Sequence, residues 1–229
     1  MRRGSRRGLL EEELNLWPAF TDLMTNMAII VFFIMLLAFV QNIISLQQAK
    51  ESSKELENIV GVREKIKQVV EEGFKKEIGE GKIRIGPGAK FTVEENIVFD
   101  SGRWQIKPEG QEVLGRLSNA LQKILDDETV RGYIELISVE GHTDSEGSAD
   151  VNWELSARRA TGVIQYMHSR NPALATKYAG YFGATGFSEF KPVASNDTEP
   201  GRQQNRRIEF RVYLKDEKIL NQVVKTLGQ

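Results

Sequence analysis

The sequence predicts an α+β protein in three parts: an apolar N-terminal helix, a helical connector and a folded domain with a mixed sheet. An apolar run with one charged residue precedes a stretch of helical periodicity, and short strand-like and helix-like segments alternate from Ile83 onward. We expect the helices on one face of the sheet, as in an α/β sandwich. The predicted boundaries are 1–15 for a tail, 16–44 for the apolar helix, 45–81 for the connector, 82–215 for the folded domain and 216–229 for a terminal helix.

The apolar segment is long enough to cross a bilayer. Residues 17–40 exceed the roughly 20 residues that a membrane helix needs. Arginines stand before it at positions 2, 3, 6 and 7, and the next Lys or Arg is Lys50. The positive-inside rule places the N-terminus in the cytoplasm and the rest outside, in the periplasm of a Gram-negative cell. Residues 41–46 lack a small-residue cleavage site, so we expect an uncleaved anchor in the inner membrane.

Asp22 is the only charged side chain between Glu13 and Lys50. A carboxylate in a membrane helix costs roughly 2.5–3.5 kcal/mol at the bilayer centre and less near the interface. Such a residue usually faces a protein interior or a hydrated path, so ion transfer is the first hypothesis. Thr21 and Thr25 flank Asp22 and could hydrate or ligate an ion, although a hydroxyl bonded to its own helix backbone is the more ordinary role.

The connector carries an apolar stripe with helical spacing, formed by Leu56, Ile59, Val62, Ile66, Val69 and Val70 and extended by Phe74 and Ile78. A lone amphipathic helix must bury such a stripe. The stripe packs either on the folded domain or against the same helix of a second copy. We favour the second alternative, and therefore a homodimer.

The folded domain reads as alternating short strands and helices. We predict strands at 83–85, 97–99, 134–140, near Tyr178 and at 208–214, with helices at 108–125 and 150–168. Pro108 is placed to open the first of these helices.

Composition excludes several classes of function. The net charge of −1 gives no basic field for nucleic acid. The absence of cysteine excludes disulfides, thiolate metal sites and a cysteine nucleophile, and with only two histidines a multi-histidine metal centre is not expected. Nothing resembles a serine nucleophile paired with a base. We therefore expect neither an enzyme nor a bound cofactor, and no metal.

Three motifs, in their order and spacing, resemble the signatures of the OmpA-like peptidoglycan-binding domain over residues 83–214. They are the sequence FDSG at 99–102 with IKPEG at 106–110, GHTD at 141–144 with Gly147, Asn152, Leu155, Ser156, Arg159 and Ala160, and PGR at 200–202 with NRRIE at 205–209.

That resemblance implies a binding site for the diaminopimelate of the peptidoglycan stem peptide, held by Asp144 and Arg159. A carboxylate and a guanidinium satisfy the ammonium and the carboxylate of this amino acid. Asn152 and Leu155 lie on the face of the Arg159 helix and have supporting roles. The remaining candidates for support are Thr143 and Arg206.

These assignments have alternatives. Asp144 could instead cap its loop, and Arg159 could be a surface charge. Arg206 either approaches the ligand or holds the fold in an ion pair. His142 is expected to be structural and to orient the loop that follows it.

The segment WPAFTDLMTNM at 17–27 is similar to the start of the span in MotB-type stator subunits, where a Trp precedes the ion-carrying Asp by five residues. The resemblance implies that two copies sit inside a ring of about five copies of a MotA-type polytopic subunit, that Asp22 carries H⁺ or Na⁺, and that the wall-bound domain resists the torque. Asn26 stands where flagellar subunits usually have a small residue, the chain is short and a separate plug helix is not evident. These departures favour a non-flagellar relative such as the ZorB subunit of Zorya anti-phage systems. A passive or signalling tether to peptidoglycan is the alternative.

Overall fold

The computed structural model describes residues 16–215. The predicted tail at 1–15 and the predicted terminal helix at 216–229 lie outside the described residues. The chain divides into two compact units, with the division between Lys54 and Glu55.

Helix α1 spans Trp17–Gly79. Among residues 16–215, it is the helix long and apolar enough to cross a membrane. Its large apolar side chains from Phe20 to Leu46 are exposed. A contiguous apolar surface of this size is rare on a soluble protein and is typical of a segment that contacts lipid or a protein partner.

The folded unit is built on a five-stranded mixed sheet, as predicted. The strands are β1 Ile83–Gly86, β2 Lys90–Glu94, β3 Ile134–His142, β4 Phe182–Gly186 and β5 Arg207–Leu214, in the order β1-β2-β5-β3-β4. Strands β3 and β4 are parallel, and the other neighbours are antiparallel. The central pair β3 and β5 brings the end of the GHTD strand beside the start of the NRRIE strand, with His142 opposite Arg207.

The described residues form six further helices, and several of them begin at a side-chain cap or a proline. They are α2 Glu95–Val98, α3 Pro108–Asp126, α4 Glu128–Arg131, α5 Ala149–Arg170, α6 Pro172–Thr176 and α7 Glu199–Asn205, and a 3-10 turn lies at Ala179–Tyr181. Pro108 opens α3 because its fixed φ suits a first helical position. Ser148 caps α5 by accepting a hydrogen bond from the backbone N–H of Val151.

Helix α5 lies unusually close to the sheet. A Cβ built on Gly141 of β3 would stand 2.1 Å from the backbone oxygen of Ser156, and one on Gly186 of β4 would stand 2.6 Å from the backbone nitrogen of Ala157. Glycine at both positions therefore permits the contact between the strands and the helix that carries Arg159.

Two predicted strands were misplaced. Residues 97–99 do not form a strand: 95–98 form α2, and Phe99 makes only an isolated bridge to Ile106. The hairpin strand is β2, in which the core side chains Phe91 and Val93 alternate with Thr92. A run of three apolar residues fits a helical turn as well as a strand. The strand expected near Tyr178 begins at Phe182.

The connector stripe packs within its own chain, so the preference for a helix pair through this stripe was wrong. Its side chains Ile59, Val62, Ile66, Val70 and Phe74 all belong to the buried core of the folded unit. The helical geometry breaks at Phe74, with φ −133° and ψ 26°. Arg116 of α3 lies over the Phe74 ring, 5.0 Å from its centroid, and pairs with Glu77. The stripe is thus unavailable as a seam for a second copy.

Candidate functional site

The two residues predicted to bind the ligand are both buried and both paired with other side chains. Asp144 follows β3, and its Oδ2 accepts a hydrogen bond from Nη1 of Arg206 at 2.5 Å. Arg159 lies in α5 and is 1% exposed. Its Nη2 pairs with Oε1 of Glu95, and its Nε donates to the backbone oxygen of Arg103 at 2.9 Å.

Glu95 and Arg206 complete a four-residue group that we call the charge cluster: Glu95, Asp144, Arg159 and Arg206. The Nε of Arg206 lies 4.0 Å from Oε2 of Glu95, and its Nη2 donates to Oε1 of Glu199 at 2.6 Å. The cluster joins α2, the loop after β3, α5 and the start of β5. Arg206 therefore makes the ion pairs of one alternative considered from the sequence, while its approach to a ligand stays a prediction.

Sequence reasoning missed Glu95. It is the first residue of α2 and follows Glu94, which ends β2. Nothing in the pattern distinguishes these two neighbouring glutamates. Their environments separate only when α2 forms and turns one of them inward, towards Arg159.

Burial dominates the electrostatics of the cluster. It raises the pKa of Glu95, because the cost of removing the carboxylate from water exceeds the effect of Arg159 and Arg206. Burial also lowers the pKa of the Arg159 guanidinium, with Glu95 opposing the shift. Burial alone would lower the pKa of Arg206, but its interactions with Glu199 and Asp144 outweigh this effect. The pKa of Arg206 is therefore raised.

A cleft of about 400 Å³ opens at the cluster. Its charged lining consists of Glu94, Glu95, Asp100, Glu146 and Glu199 against Lys107 and Arg206. The lining is therefore acidic, with an excess of carboxylates that favours a cationic group. Within the described residues, Glu95 and Arg206 face this cleft, whereas Asp144 and Arg159 contribute through their ion pairs with them.

The supporting residues are placed differently from one another. The Nδ2 of Asn152 donates to the backbone oxygens of Asp144 at 3.3 Å and Glu146 at 3.0 Å, so Asn152 shapes the loop that carries Asp144. That loop turns at Gly147, whose φ of +92° suits glycine. Thr143 is buried, and its backbone N–H donates to the oxygen of Ser188 at 3.0 Å. Leu155 is half-buried, and no contact in the described structure ties it to the cleft.

The predicted ion-carrying segment lies on the exposed surface of α1. Asp22 is exposed there. The hydroxyl of Thr21 donates to the backbone oxygens of Trp17 and Pro18, both at 2.9 Å, and that of Thr25 donates to the oxygen of Thr21 at 2.8 Å. Both hydroxyls thus make the ordinary helix-backbone bonds considered from the sequence.

A second polar group surrounds His142, on the neighbouring part of β3 and β5. Glu140, His142 and Glu209 each offer a ligand atom within 4.8 Å of the others. Cationic side chains already partner both carboxylates: the Nε of Arg207 lies 2.7 Å from Glu209 and that of Arg211 lies 3.5 Å from Glu140. Since a dication would add to this positive charge, we assign no metal to the group.

His142 itself is neutral and packed. Burial, with the charge of Arg207 as a second cause, lowers the pKa of its imidazole to about 3. The ring stacks on Phe187, with centroids 5.2 Å apart, and the backbone N–H of Phe187 donates to the oxygen of Gly141 at 2.9 Å. These contacts attach the loop after β4 to the end of β3.

Comparisons with known proteins show which families and solved structures this chain resembles. Residues 98–206 match the OmpA family. Motility protein B of Bacillus subtilis is 36% identical over 126 residues, which cover 53% of this chain and 44% of that protein. Among solved structures, a MotB-like protein from Desulfovibrio vulgaris has a TM-score of 0.53 at 26% identity, covering 69% of this chain and 93% of that one.

A further solved structure is the cell wall anchor of the T6SS from Pseudomonas aeruginosa, with a TM-score of 0.52 at 26% identity, covering 63% of this chain and 96% of that one. The match to the first curated relatives spans less than half of their length, 47% and 44%. Residues 98–206 therefore form an OmpA-like domain, and about half of the chain is homologous to part of the Bacillus subtilis motility protein B.

Proposed function

We propose that this chain is the B subunit of an ion-driven membrane motor, with a folded domain that binds peptidoglycan outside the membrane and an Asp22 that carries the ion. The observation that carries the proposal is the charge cluster, which presents buried carboxylates and guanidiniums together at one acidic cleft. The family likeness supplies the ligand class.

The cluster suits a ligand that bears an ammonium and a carboxylate on one carbon. Diaminopimelate in the peptidoglycan stem peptide has this arrangement. Removed from bulk water, charge-assisted hydrogen bonds are stronger than at an exposed surface, and a guanidinium can hold a carboxylate with two of them. We propose that Asp144 and Arg159 are central to recognition, with Arg206 beside them and Asn152 fixing the loop.

The membrane arrangement follows from the N-terminal segment. The arginines before the span favour a cytoplasmic N-terminus, and with it an OmpA-like domain in the periplasm, within reach of the wall. The protein is then a single-pass protein of the bacterial inner membrane. The tether between membrane and wall is what allows the domain to resist torque.

The motor mechanism requires partners. We propose two copies of this chain within a ring of five MotA-type polytopic subunits, with Asp22 of each copy alternately taking and releasing H⁺ or Na⁺. One charge crossing 100 mV releases about 2.3 kcal/mol, so repeated transfers can drive stepping of the ring. Since the connector stripe is buried within the chain, the two copies must meet through other surfaces.

We make a separate proposal about the cellular process that the motor serves. Asn26 differs from the small residue usual in flagellar subunits, and on this ground we propose a non-flagellar motor of the ZorB type, acting in defence against phage. Protection from phage infection in a host carrying the complete set of genes, lost in the Asp22→Asn variant, is the measurement that bears on it.

A passive tether is the second candidate. The observation that favours it is the position of Asp22, five residues after Trp17 at the start of the helix, where a carboxylate near the headgroups has a small cost. A tether would bind the wall in the same way but would move no ion.

The decisive experiment is isolation of the complex in mild detergent from the native host, followed by its intact mass and by ion flux in liposomes. Two copies of this chain with an excess of a polytopic partner, and flux lost in Asp22→Asn, are expected. Thr25→Val is the matched control, because its hydroxyl is bonded to its own helix, and it should retain flux. Recovery of this chain alone, or a complex that conducts no ion, would establish the tether instead. Flux unchanged in Asp22→Asn would remove Asp22 as the ion carrier.

A separate experiment tests the proposed binding of peptidoglycan. The full chain in detergent should sediment with purified sacculi, and Asp144→Asn should weaken this sedimentation. Asp150→Asn, an exposed carboxylate in the first turn of α5, is the control and should behave as the wild type. Equal sedimentation of both variants would remove Asp144 from the binding site.

A further inference from the structure

We propose that Glu95 contacts the ligand directly and that its Oε2 atom accepts a hydrogen bond from the ammonium group of the diaminopimelate side chain. The inference rests on the proposed binding of peptidoglycan. It adds a carboxylate that no sequence motif identified, and it assigns the ammonium to a particular oxygen of the charge cluster.

Glu95 is held in place from both sides. Its backbone N–H donates to the backbone oxygen of Arg206 at 3.2 Å, which fixes the start of α2 against the start of β5. Its Oε1 pairs with Nη2 of Arg159. With 6% of its surface exposed, the side chain is rigidly positioned, yet it forms part of the cleft lining.

The second carboxylate oxygen has no hydrogen-bond partner among the described residues. Oε2 of Glu95 is buried, and the Nε of Arg206 at 4.0 Å is beyond hydrogen-bond distance. A buried acceptor without a donor is unfavourable, and native proteins rarely leave one without a reason. A donor brought by a ligand would satisfy it.

The other oxygens of the charge cluster are already engaged. Oδ1 of Asp144 accepts from the backbone N–H of Glu146 at 3.1 Å, and Oδ2 accepts from Arg206. Oε1 of Glu95 is taken by Arg159. Within the cluster, Oε2 of Glu95 is thus the carboxylate oxygen that can accept a new donor without first losing one.

The net charge of the cleft lining also favours an ammonium group as the donor. The cleft lining has five carboxylates and two cationic side chains, so a cation entering it is favoured. Burial raises the pKa of Glu95, which means that its two guanidinium neighbours do not fully compensate for its removal from water. An ammonium at Oε2 supplies the missing positive charge, while Arg206, which also lines the cleft, lies beside it.

The test is a binding cycle on the full chain in detergent, with a purified muropeptide that ends in diaminopimelate as the probe. Calorimetry compares the wild type with Glu95→Gln, and compares the free muropeptide with one whose diaminopimelate amine is acetylated. Glu95→Gln keeps the size and the acceptor for Arg159 but removes the charge. We expect it to weaken binding of the free muropeptide about tenfold or more, equivalent to about 1.4 kcal/mol.

Glu135→Gln is the control, since Glu135 is an exposed carboxylate on β3 and does not line the cleft. It should change the affinity less than about twofold, equivalent to about 0.4 kcal/mol. In Glu95→Gln, acetylation of the amine should have little further effect, because the partner of the amine is already gone.

The outcomes separate this inference from the proposed function. If the wild type binds the free muropeptide and Glu95→Gln binds it equally well, Glu95 is structural and the inference is wrong. If acetylation weakens both proteins by the same factor, the ammonium binds elsewhere and the inference is also wrong. If the wild type binds no muropeptide, the proposed wall binding itself fails. Should Glu95→Gln fail to fold, Glu95→Asp carries the same cycle, because its shorter side chain cannot keep Arg159 and reach the ammonium together.

Discussion

The guanidinium of Arg159 pairs with the carboxylate of Glu95, and both side chains are almost entirely buried. The two residues belong to α5 and α2 and stand 64 positions apart in the chain. Because Arg159 also donates to the backbone oxygen of Arg103, one side chain ties together α2, the segment before α3, and α5. The residue proposed for ligand binding is therefore also a structural residue, and any test of it must separate these two roles.

We expect Arg159→Met to destabilise the folded unit by about 3–5 kcal/mol, because it leaves the Glu95 carboxylate buried without its partner. Adding Glu95→Gln should restore a large part of this loss, since no uncompensated charge then remains. The measurement is urea unfolding followed by the fluorescence of Trp104 and Trp153, which lie in this unit.

Arg158→Met is the control for this cycle. Arg158 is the adjacent residue on α5, but it is exposed and pairs with Glu154 one turn away, so its loss should cost less than about 1 kcal/mol. A similar destabilisation in the two single variants would show that the buried pair contributes no more than a surface one.

The close contact between β3 and α5 predicts a large effect of one methyl group. Gly141→Ala should destabilise the folded unit by several kcal/mol, on the order of 3 or more, since its Cβ would stand 2.1 Å from the backbone oxygen of Ser156. Thermal unfolding checks this. Gly115→Ala in α3 is the control, because its Cβ would meet nothing within 4 Å and alanine favours the helix by about 0.5–1 kcal/mol. Equal melting temperatures for both variants would contradict the packing described.

The buried connector stripe gives a prediction about the monomeric fold. Ile66→Ala should lower the free energy of unfolding by about 2–5 kcal/mol, because Ile66 is only 1% exposed in the core of the folded unit. Val60→Ala, on the same helix but 60% exposed, should change it by less than about 0.5 kcal/mol. The loss for Ile66→Ala should not depend on protein concentration. A loss that disappears on dilution would instead place Ile66 between two copies.

Much of this architecture could be predicted from local signals in the sequence. The apolar span, the helix opened by Pro108 and the last strand are set by periodicity and capping, which act within a few residues. The misplaced strand at 97–99 shows the limit, because three apolar residues fit either structure. The motifs located Asp144, Arg159 and Arg206 but not Glu95. Glu95 meets Arg159 only in the folded domain, and no local pattern encodes a contact 64 residues away.

His142 predicts how stability depends on pH. Its folded-state pKa is about 3, and an exposed histidine in the unfolded chain has a pKa of about 6.5. Between these values the unfolded state binds a proton that the folded state does not. The stability associated with His142 is therefore present above about pH 6.5 and is lost as the pH falls towards 3, by up to about 1.4 kcal/mol per pH unit.

Urea unfolding of the full chain between pH 7.5 and pH 5 checks this slope, in roughly half-unit steps chosen around the histidine pKa. His142→Gln should flatten it, whatever its effect on stability at neutral pH, because the substituted side chain does not titrate. His168→Gln is the matched control. His168 is less buried and its pKa is lowered by burial alone, so its replacement should leave the larger part of the slope in place. If His142→Gln and the wild type lose stability in parallel as the pH falls, the imidazole is not the buried neutral group that its stacking on Phe187 indicates.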